Sequence, residues 1–454
     1  MTEPSGPPPN ASSRYEGEEL MVPDPRVGVP IPAYRGRSLG NLTSSLWAAL
    51  SSGREGDSPP LPPLDGDLDP FGGGRPTGPV VVLLLDGLGW TALLGSAERT
   101  PGGVASRWVP QARPLTSVFP TTTTVALTSL STGAAPGQHG VLGHRLYLPR
   151  FGTVVEILRM SPVGVAAPET LIGPDWSPSA VSGVPSIFRR GIPAVALSRE
   201  RFEGTGFTRL IYDGATFVAY STGSDLALSL VEILSRDDPP SLVLAYRDDL
   251  DVVQHLRGTR PELVDLELER ADAILSFVAR HVKPDLADRT HVIVTGDHGQ
   301  VPLAADRQLA VDREPTLLSH LSRPPSGDRR AAYFVARPGH LAALRETLEA
   351  RLPRGGRLLD MPAAVEAGLF GPPPFHPELS ERIGDLLLLL PSPGGVSYSV
   401  PGARSRPHRM IATHGGLEPA ELLVPLISGI LSELAPPGFA MAHPRPALDS
   451  GRGR

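Results

Sequence analysis

Residues 79–90 read PVVVLLLDGLGW, an unbroken apolar run that stops at Asp86-Gly87. A strand with one face in water alternates apolar and polar residues. A run without alternation suits a strand buried on both faces, as in parallel sheets covered by helices. The same shape recurs at 241–246 (SLVLAY, followed by acids) and at 291–299 (HVIVTGDHG), and more weakly at 385–390 (DLLLLL). Helix-like stretches such as 224–235 and 261–281 lie between them. This alternation predicts an α/β fold: a mostly parallel central sheet with helices on both faces. Ligands of such sheets sit beyond the carboxyl ends of the strands, which is where this sequence sets its acids and histidines.

Around that body the composition changes. Residues 1–25 are rich in Pro, Ser, Gly and Glu and are expected to be a disordered tail. Residues 38–50 carry Leu39, Leu42, Leu46 and Leu50 at helical spacing, and 51–78 return to Ser, Pro, Gly and Asp, so 26–78 reads as a helix plus a linker. The catalytic-looking segments span 79–430 and are interrupted at 301–405 by a smaller inserted α+β lobe, with AAYFVA at 331–336 and a helix around 340–352. Residues 431–454 read as a loose tail. Many of the 52 prolines and 49 glycines fall in these flanks, and the 40% hydrophobic content leaves ample material for a core.

Two absences narrow the chemistry. With no cysteine, the chain has no disulfide framework, thiolate zinc finger, cysteine-held iron–sulfur cluster or cysteine nucleophile. Any transition metal must be held by His, Asp, Glu or hydroxyl oxygens. Forty-two basic against 48 acidic residues give a net charge of −6, which argues against nucleic-acid polymers or anionic membranes as partners. The start, MTEPSGPPPN, has neither the basic nor the apolar part of a signal peptide. The longest apolar runs fall far short of the ~18 residues that span a bilayer. No membrane span and a cytoplasmic location are expected.

The chemistry-bearing residues fall in five segments. Asp86 ends the first strand, a position more often filled by a turn former. Asp251 and His255 are four apart and project from one face of a helical turn, as surface ion pairs commonly do. Asp297-His298-Gly299 leaves a buried strand, and His414 sits in a glycine turn. The fifth, 117–133 (SVFPTTTTVALTSLSTG), places four threonines ahead of a small-residue helix. A hydroxyl at a helix start is commonly an N-cap, yet the same place binds anions. Singly, each has a bland reading. Jointly they offer hard oxygen and nitrogen ligands beside a hydroxyl that is a poor nucleophile until a metal or base activates it.

In order and wording these segments resemble the alkaline phosphatase superfamily, in particular its nucleotide pyrophosphatase/phosphodiesterase branch, with phosphonoacetate hydrolase as a relative. The resemblance runs from about Val80 to Ile427. It implies an alkaline phosphatase-like fold and a metal-dependent phosphoesterase acting on a small phosphorylated substrate. The family's P-T-x-T motif is matched by Pro120-Thr121-Thr122-Thr123, which makes Thr123 the nucleophile, and Thr132-Gly133 falls at the family's spacing from it. His139-Gly140 matches a later, structural His-Gly. The resemblance further implies two divalent metal ions, zinc by habit, with manganese or iron compatible. One would be held by Asp86, Thr123, Asp297 and His298, the other by Asp251, His255 and His414. Asp248 and Asp249 are expected to support the site without ligating.

Two positions depart from the pattern. The aromatic that follows the nucleophile in this branch is Thr124 here, and the oxyanion-stabilising asparagine, counted to Tyr147, falls on His144. His144 is expected to donate to a phosphoryl oxygen. Three other readings share much of the ligand set: a phosphomonoesterase using Arg145, Arg406 or Arg409 for the extra charge, a phosphonate hydrolase, and an inactive scaffold that recognises a phosphorylated ligand. A sulfatase is disfavoured because its C/S-x-P-x-R motif is missing, and a phosphoglycerate mutase because its serine nucleophile motif is.

Overall fold

A computed structural model describes residues 17–51, 58–400 and 410–435. Its central sheet has seven strands: β1 (Val80–Leu85), β2 (Ala112–Thr116), β3 (Ala194–Arg199), β4 (Thr216–Tyr220), β5 (Leu242–Arg247), β6 (His291–Thr295) and β7 (Leu423–Ile430). They lie in the order β2-β7-β6-β1-β5-β3-β4. All pairings are parallel except those of β7, which runs against both β6 and β2. The α/β architecture expected from the sequence is present, with a mostly parallel sheet.

Every residue of β1 is buried, because the strand faces two cores. Six helices matter to the site: α1 (Leu39–Leu50), α2 (Trp90–Arg99), α3 (Thr123–Thr132), α4 (Gly223–Leu234), α5 (Asp249–Arg257) and α6 (Pro261–His281). Val80, Val82 and Leu84 pack with Leu39, Leu42 and Leu46 of α1 and Val125 and Leu130 of α3. Val81, Leu83 and Leu85 point the other way, to Leu93 of α2, Leu230 of α4 and Leu268 and Leu275 of α6. The two-residue period of a strand thus divides one apolar run between two helix layers. Each such fully buried side chain contributes about 1.5–3 kcal/mol of transfer free energy.

The flanks are more ordered than their composition suggests. Ser38 caps α1, its backbone N–H and hydroxyl both donating to Asn41 Oδ1 at 2.9 and 2.5 Å. The Asn41 amide reaches on to the Pro62 carbonyl at 2.8 Å. Leu61, Leu64 and Leu68 are buried in the core, so the 58–78 part of the expected linker packs as structure. Within the expected 1–25 tail, Glu18–Met21 forms a 3-10 turn and Met21 packs against the core, while residues 1–16 lie outside the described residues. Of the expected 431–454 tail, Leu431–Leu434 is a short helix with both leucines buried, and 436–454 lie outside the described residues. In each case a few spaced leucines or a methionine outweigh the polar and proline-rich surroundings.

A second seven-stranded sheet is wholly antiparallel: Arg357–Asp360, Leu386–Leu389, Ala331–Phe334, Ser326–Gly327, Arg145–Leu148, Thr153–Glu156 and Ser161–Pro162, in that order. Sequence reading grouped 385–390 by shape with the parallel strands. Its apolar run is indeed buried on both sides, with Leu387 and Leu389 in the core shared with β1 and Leu386 and Leu388 against Leu344 and Leu348. Two-sided burial specifies no strand direction. Three strands of this sheet come from 145–162, well before the 301–405 segment in which the lobe was expected. Among the described residues no helix is long and apolar enough to cross a membrane. The MTEPSGPPPN start, on which the cytoplasmic expectation rests, lies outside them.

One sheet edge collects the ends that matter. Asp86 follows β1, α5 follows β5, and Asp297 comes two residues after β6. Because β7 is reversed, the His414 turn that precedes it arrives at the same edge. The chain after β6 passes very close to its neighbours: a Cβ on Gly299 would lie 2.0 Å from the Ala420 carbonyl oxygen and 2.9 Å from Gly89 Cα. Gly299→Ala should therefore cost about 1–3 kcal/mol in denaturant unfolding through overpacking against backbone. Gly173→Ala, where a Cβ meets nothing within 4 Å, should stay within about 0.5 kcal/mol of the parent.

Candidate active site

The four threonines divide into distinct roles. Thr121 is fully buried, its hydroxyl donating to the Gly416 carbonyl at 2.8 Å and accepting from the Gly415 N–H at 3.0 Å. Thr122 is the N-cap residue of α3, and Thr123 opens the helix. Thr124 is fully buried and absent from the cavity wall, so the position after Thr123 offers no platform to a ligand. Small residues fill the rest of α3, which is buried along its length.

Around Thr123 the expected residues converge. Its Oγ1 lies 3.2 Å from His298 Nε2 and 3.5 Å from Asp86 Oδ2. His298 Nε2 is also 3.3 Å from Asp297 Oδ2 and 3.6 Å from Asp86 Oδ1. Asp297 Oδ1 accepts from the backbone N–H of Gly87 at 3.1 Å and of His298 at 2.9 Å. On the other side, Asp251 Oδ1 lies 3.2 Å from His255 Nε2 and 3.9 Å from His414 Nε2. Each outer imidazole nitrogen is anchored to a carbonyl, His255 Nδ1 to Ala412 at 2.8 Å and His414 Nδ1 to Thr121 at 3.0 Å. That anchoring leaves both Nε2 atoms facing Asp251. The His298 and His414 rings stack at 3.8 Å between centroids.

One ligand atom each from Asp86, Asp297 and His298 lie within 4.8 Å of one another, and so do those of Asp251, His298 and His414. His298 thus reaches both groups, where sequence reading gave it to one.

The electrostatics are unbalanced. Among the described residues no Arg or Lys pairs with Asp86, Asp251 or Asp297; the nitrogens within ion-pair distance of them belong to three imidazoles. Burial, then the Asp297 and Asp251 charges, hold the Asp86 carboxyl well above the usual range. Burial also acts to raise Asp251, but the charge and hydrogen bond of His255 outweigh it and hold Asp251 low. Burial and the adjacent His298 push His414 well below an ordinary imidazole. Asp86 Oδ1 and Asp297 Oδ2 are buried with no hydrogen-bond partner. Orphaned carboxylate oxygens that face imidazole nitrogens, with no thiolate in reach, fit divalent cations such as zinc, manganese or iron.

Several supporting residues carried no sequence signal. The Tyr246 hydroxyl donates to Asp86 Oδ2. The Gln300 side-chain amide donates to the Asp251 carboxylate, and at 3.1 Å to its carbonyl. Ser117 Oγ donates to the Asp297 carbonyl. All three are uncharged side chains that each act on a single residue. Asp248 turns to Arg199 at 3.2 Å and to Arg201, and Asp249 to Arg247 at 2.9 Å and to Arg199. These pairs fix the start of α5, which bears Asp251 and His255.

The cluster opens into a cavity of about 1100 Å³ whose far wall is the second sheet. His144 lines that wall, with burial pulling its pKa down against the opposing charge of Asp328. Beside it, Arg145 and Arg159 both engage Glu156, at 3.1 and 3.0 Å. Arg406 and Arg409 lie outside the described residues.

Comparison with known proteins identifies the family and the fold. The family model described as type I phosphodiesterase/nucleotide pyrophosphatase matches residues 80–417. A search of curated proteins gives no significant match. Among solved structures, murine ectonucleotide pyrophosphatase/phosphodiesterase 5 is similar at a TM-score of 0.58 and 16% identity, over 77% of this chain and 87% of that one. An inactive variant of it in complex with AMP gives 0.57 and 15%, over the same shares. Phosphonoacetate hydrolase from Sinorhizobium meliloti 1021, in complex with phosphonoacetate, gives 0.53 and 19%, over 78% and 90%. At these identities the structural likeness is one of fold.

Tyr246→Phe removes the shorter of the two hydroxyl contacts to Asp86 Oδ2 among the described residues, leaving that of Thr123, while keeping the ring. It should weaken metal affinity about 10–100-fold in chelator competition, with little change in circular dichroism. Unchanged affinity would show that Asp86 is oriented without it.

Proposed function

Because the chain belongs to the type I phosphodiesterase/nucleotide pyrophosphatase family and is a phosphoester hydrolase of the alkaline phosphatase superfamily, we propose that it cleaves phosphodiester or pyrophosphate bonds at a two-metal site through a phospho-threonine intermediate. The reading is supported chiefly by three carboxylates and three imidazoles gathered about one threonine hydroxyl, with no arginine or lysine paired to them among the described residues. Asp86, Thr123, Asp297 and His298 would hold one divalent cation, and Asp251, His255 and His414 the other. Zinc is the first choice, and manganese or iron suit the same donors. When bound, such ions supply Lewis-acid stabilisation of phosphoryl oxygens and lower the pKa of a coordinated hydroxyl.

The chain's own part is positioning. Thr123 Oγ1, as alkoxide, attacks phosphorus in line; its bond to phosphorus forms as the bond to the leaving oxygen breaks. The free N–H groups in the first turn of α3 favour the negative charge brought there. His144, on the opposite wall, donates to a phosphoryl oxygen. Water then takes the phosphoryl group from Thr123, and the two in-line steps together retain configuration at phosphorus.

A phosphonate hydrolase is the second reading, favoured by the lack of an aromatic at Thr124, since a base-stacking platform is missing there. The phosphomonoesterase reading is weakened at Arg145, whose charge is engaged by Glu156. The family's small phosphorylated substrates, with AMP and phosphonoacetate bound by the two neighbours, define the class to screen.

Bis(4-nitrophenyl) phosphate should be hydrolysed faster than 4-nitrophenyl phosphate, and preference for the monoester by more than about tenfold would sink the diesterase reading. Thr123→Ala should abolish turnover by at least about a thousandfold while leaving metal content intact. Wild-type protein that binds metal yet turns over none of the substrates would point to a scaffold.

A further inference from the structure

Two of the four arginines that line the cavity are already balanced. Arg145 and Arg159 share Glu156, and the neighbouring buried Arg330 pairs with Glu421 at 2.7 Å and Glu418 at 2.7 Å. Arg329 is different. It lines the same cavity as Thr123, His144 and His414, and among the described residues its guanidinium makes no hydrogen bond or ion pair. The only hydrogen bonds of the residue are through its backbone, its N–H to Asp328 Oδ1 at 2.6 Å and its carbonyl from the Val396 N–H at 2.6 Å. Desolvation, opposed by the charge of Asp328, lowers its pKa. Arg329 is half-buried; a guanidinium partly withdrawn from water without a partner is costly, and one is readily retained where an anion will meet it.

Its backbone is held in place from both sides. A Cβ on Gly143, one residue before His144, would lie 2.7 Å from Gly327 Cα. A Cβ on Gly415, next to His414, would lie 2.7 Å from Asp328 Oδ1. The 327–330 turn is therefore wedged between the turns that carry His144 and His414, and the Arg330 ion pairs lock its far end. Arg329 belongs to the rigid frame of the site, whereas Arg313, the other cavity arginine without an ion pair among the described residues, is exposed at the rim.

We propose that Arg329 is a specificity-determining residue that binds a second anionic group of the substrate, a carboxylate or a further phosphate, beyond the phosphoryl group that meets Thr123. The proposal rests on the hydrolase reading above for the placement of the first group. It narrows the substrate class to doubly anionic phosphoryl compounds: phosphoanhydrides, or phosphonates and phosphate esters that carry an acid. Arginine suits the task because its planar fork takes a carboxylate or phosphate through two parallel hydrogen bonds.

Calorimetric titration of the zinc-loaded enzyme with non-hydrolysed phosphonates tests this without turnover. Wild type should bind 3-phosphonopropionate and propane-1,3-bisphosphonate at least about tenfold more tightly than propylphosphonate. The stronger of the two identifies the second group as carboxylate or phosphate. In Arg329→Gln that preference should fall below about threefold, and Arg329→Lys should keep part of it. A merely structural role would weaken all three ligands together and leave their ratio unchanged. Absence of the preference in wild type, or its survival in Arg329→Gln, overturns the proposal. Loss of the preference in Arg329→Gln, with no wild-type turnover of any phosphoester, would keep the subsite and overturn the hydrolase reading.

Discussion

Three carboxylates of like charge, on Asp86, Asp251 and Asp297, are held in one largely buried cluster that, among the described residues, no arginine or lysine pairs with. Like charges at such separations in a low-dielectric setting oppose one another, and in the protein alone burial and the neighbouring carboxylates raise the Asp86 carboxyl while Asp251 raises the His255 imidazole. On the proposed reading a pair of dications would relieve it differently, by favouring the ionised carboxylates. Much of the surrounding structure serves to impose this arrangement: Tyr246 fixes one oxygen of Asp86, Gln300 holds Asp251, and backbone carbonyls turn His255 and His414 toward the cluster.

The topology explains how residues spread over more than 300 positions meet. Parallel strands bring the ends of β1, β5 and β6 to one edge, and the reversed β7 returns the His414 turn to it. Close packing at glycines, as where Gly299 crosses Gly89 and Ala420, brings these ends near enough for their side chains to share an ion. The second sheet closes the far side and shares a core with one face of β1, so the cavity wall and the acid–imidazole cluster are parts of one packed body. On the proposed function, substrate selection would reside in the wall while the cluster stays fixed.

Much of this was legible in the sequence because each signal is local. The run at 79–90 showed two-sided burial, and the acids and histidines at strand ends showed where ligands would gather. The spacing from Thr123 to Thr132-Gly133 singled out one threonine of four through its family resemblance, and the structure brings its hydroxyl to His298 and Asp86. Contacts that act through space at a single atom were not legible. Tyr246 reads as the end of an apolar strand, and Arg329 as one of many arginines. The 145–162 strands join the second sheet through a single bridge, Gly327 to Arg145, and neither periodicity nor composition encodes such a long-range pairing. Leu61, Leu64 and Leu68 were hidden by the prolines and aspartates around them.

The most direct test of the account is the metal content of the purified protein, measured by inductively coupled plasma mass spectrometry alongside phosphodiesterase activity. The protein should carry about two equivalents of transition metal per chain, zinc foremost, with activity lost on chelation and restored on adding the metal back. Less than about one equivalent, with no activity on adding zinc or manganese, would contradict it.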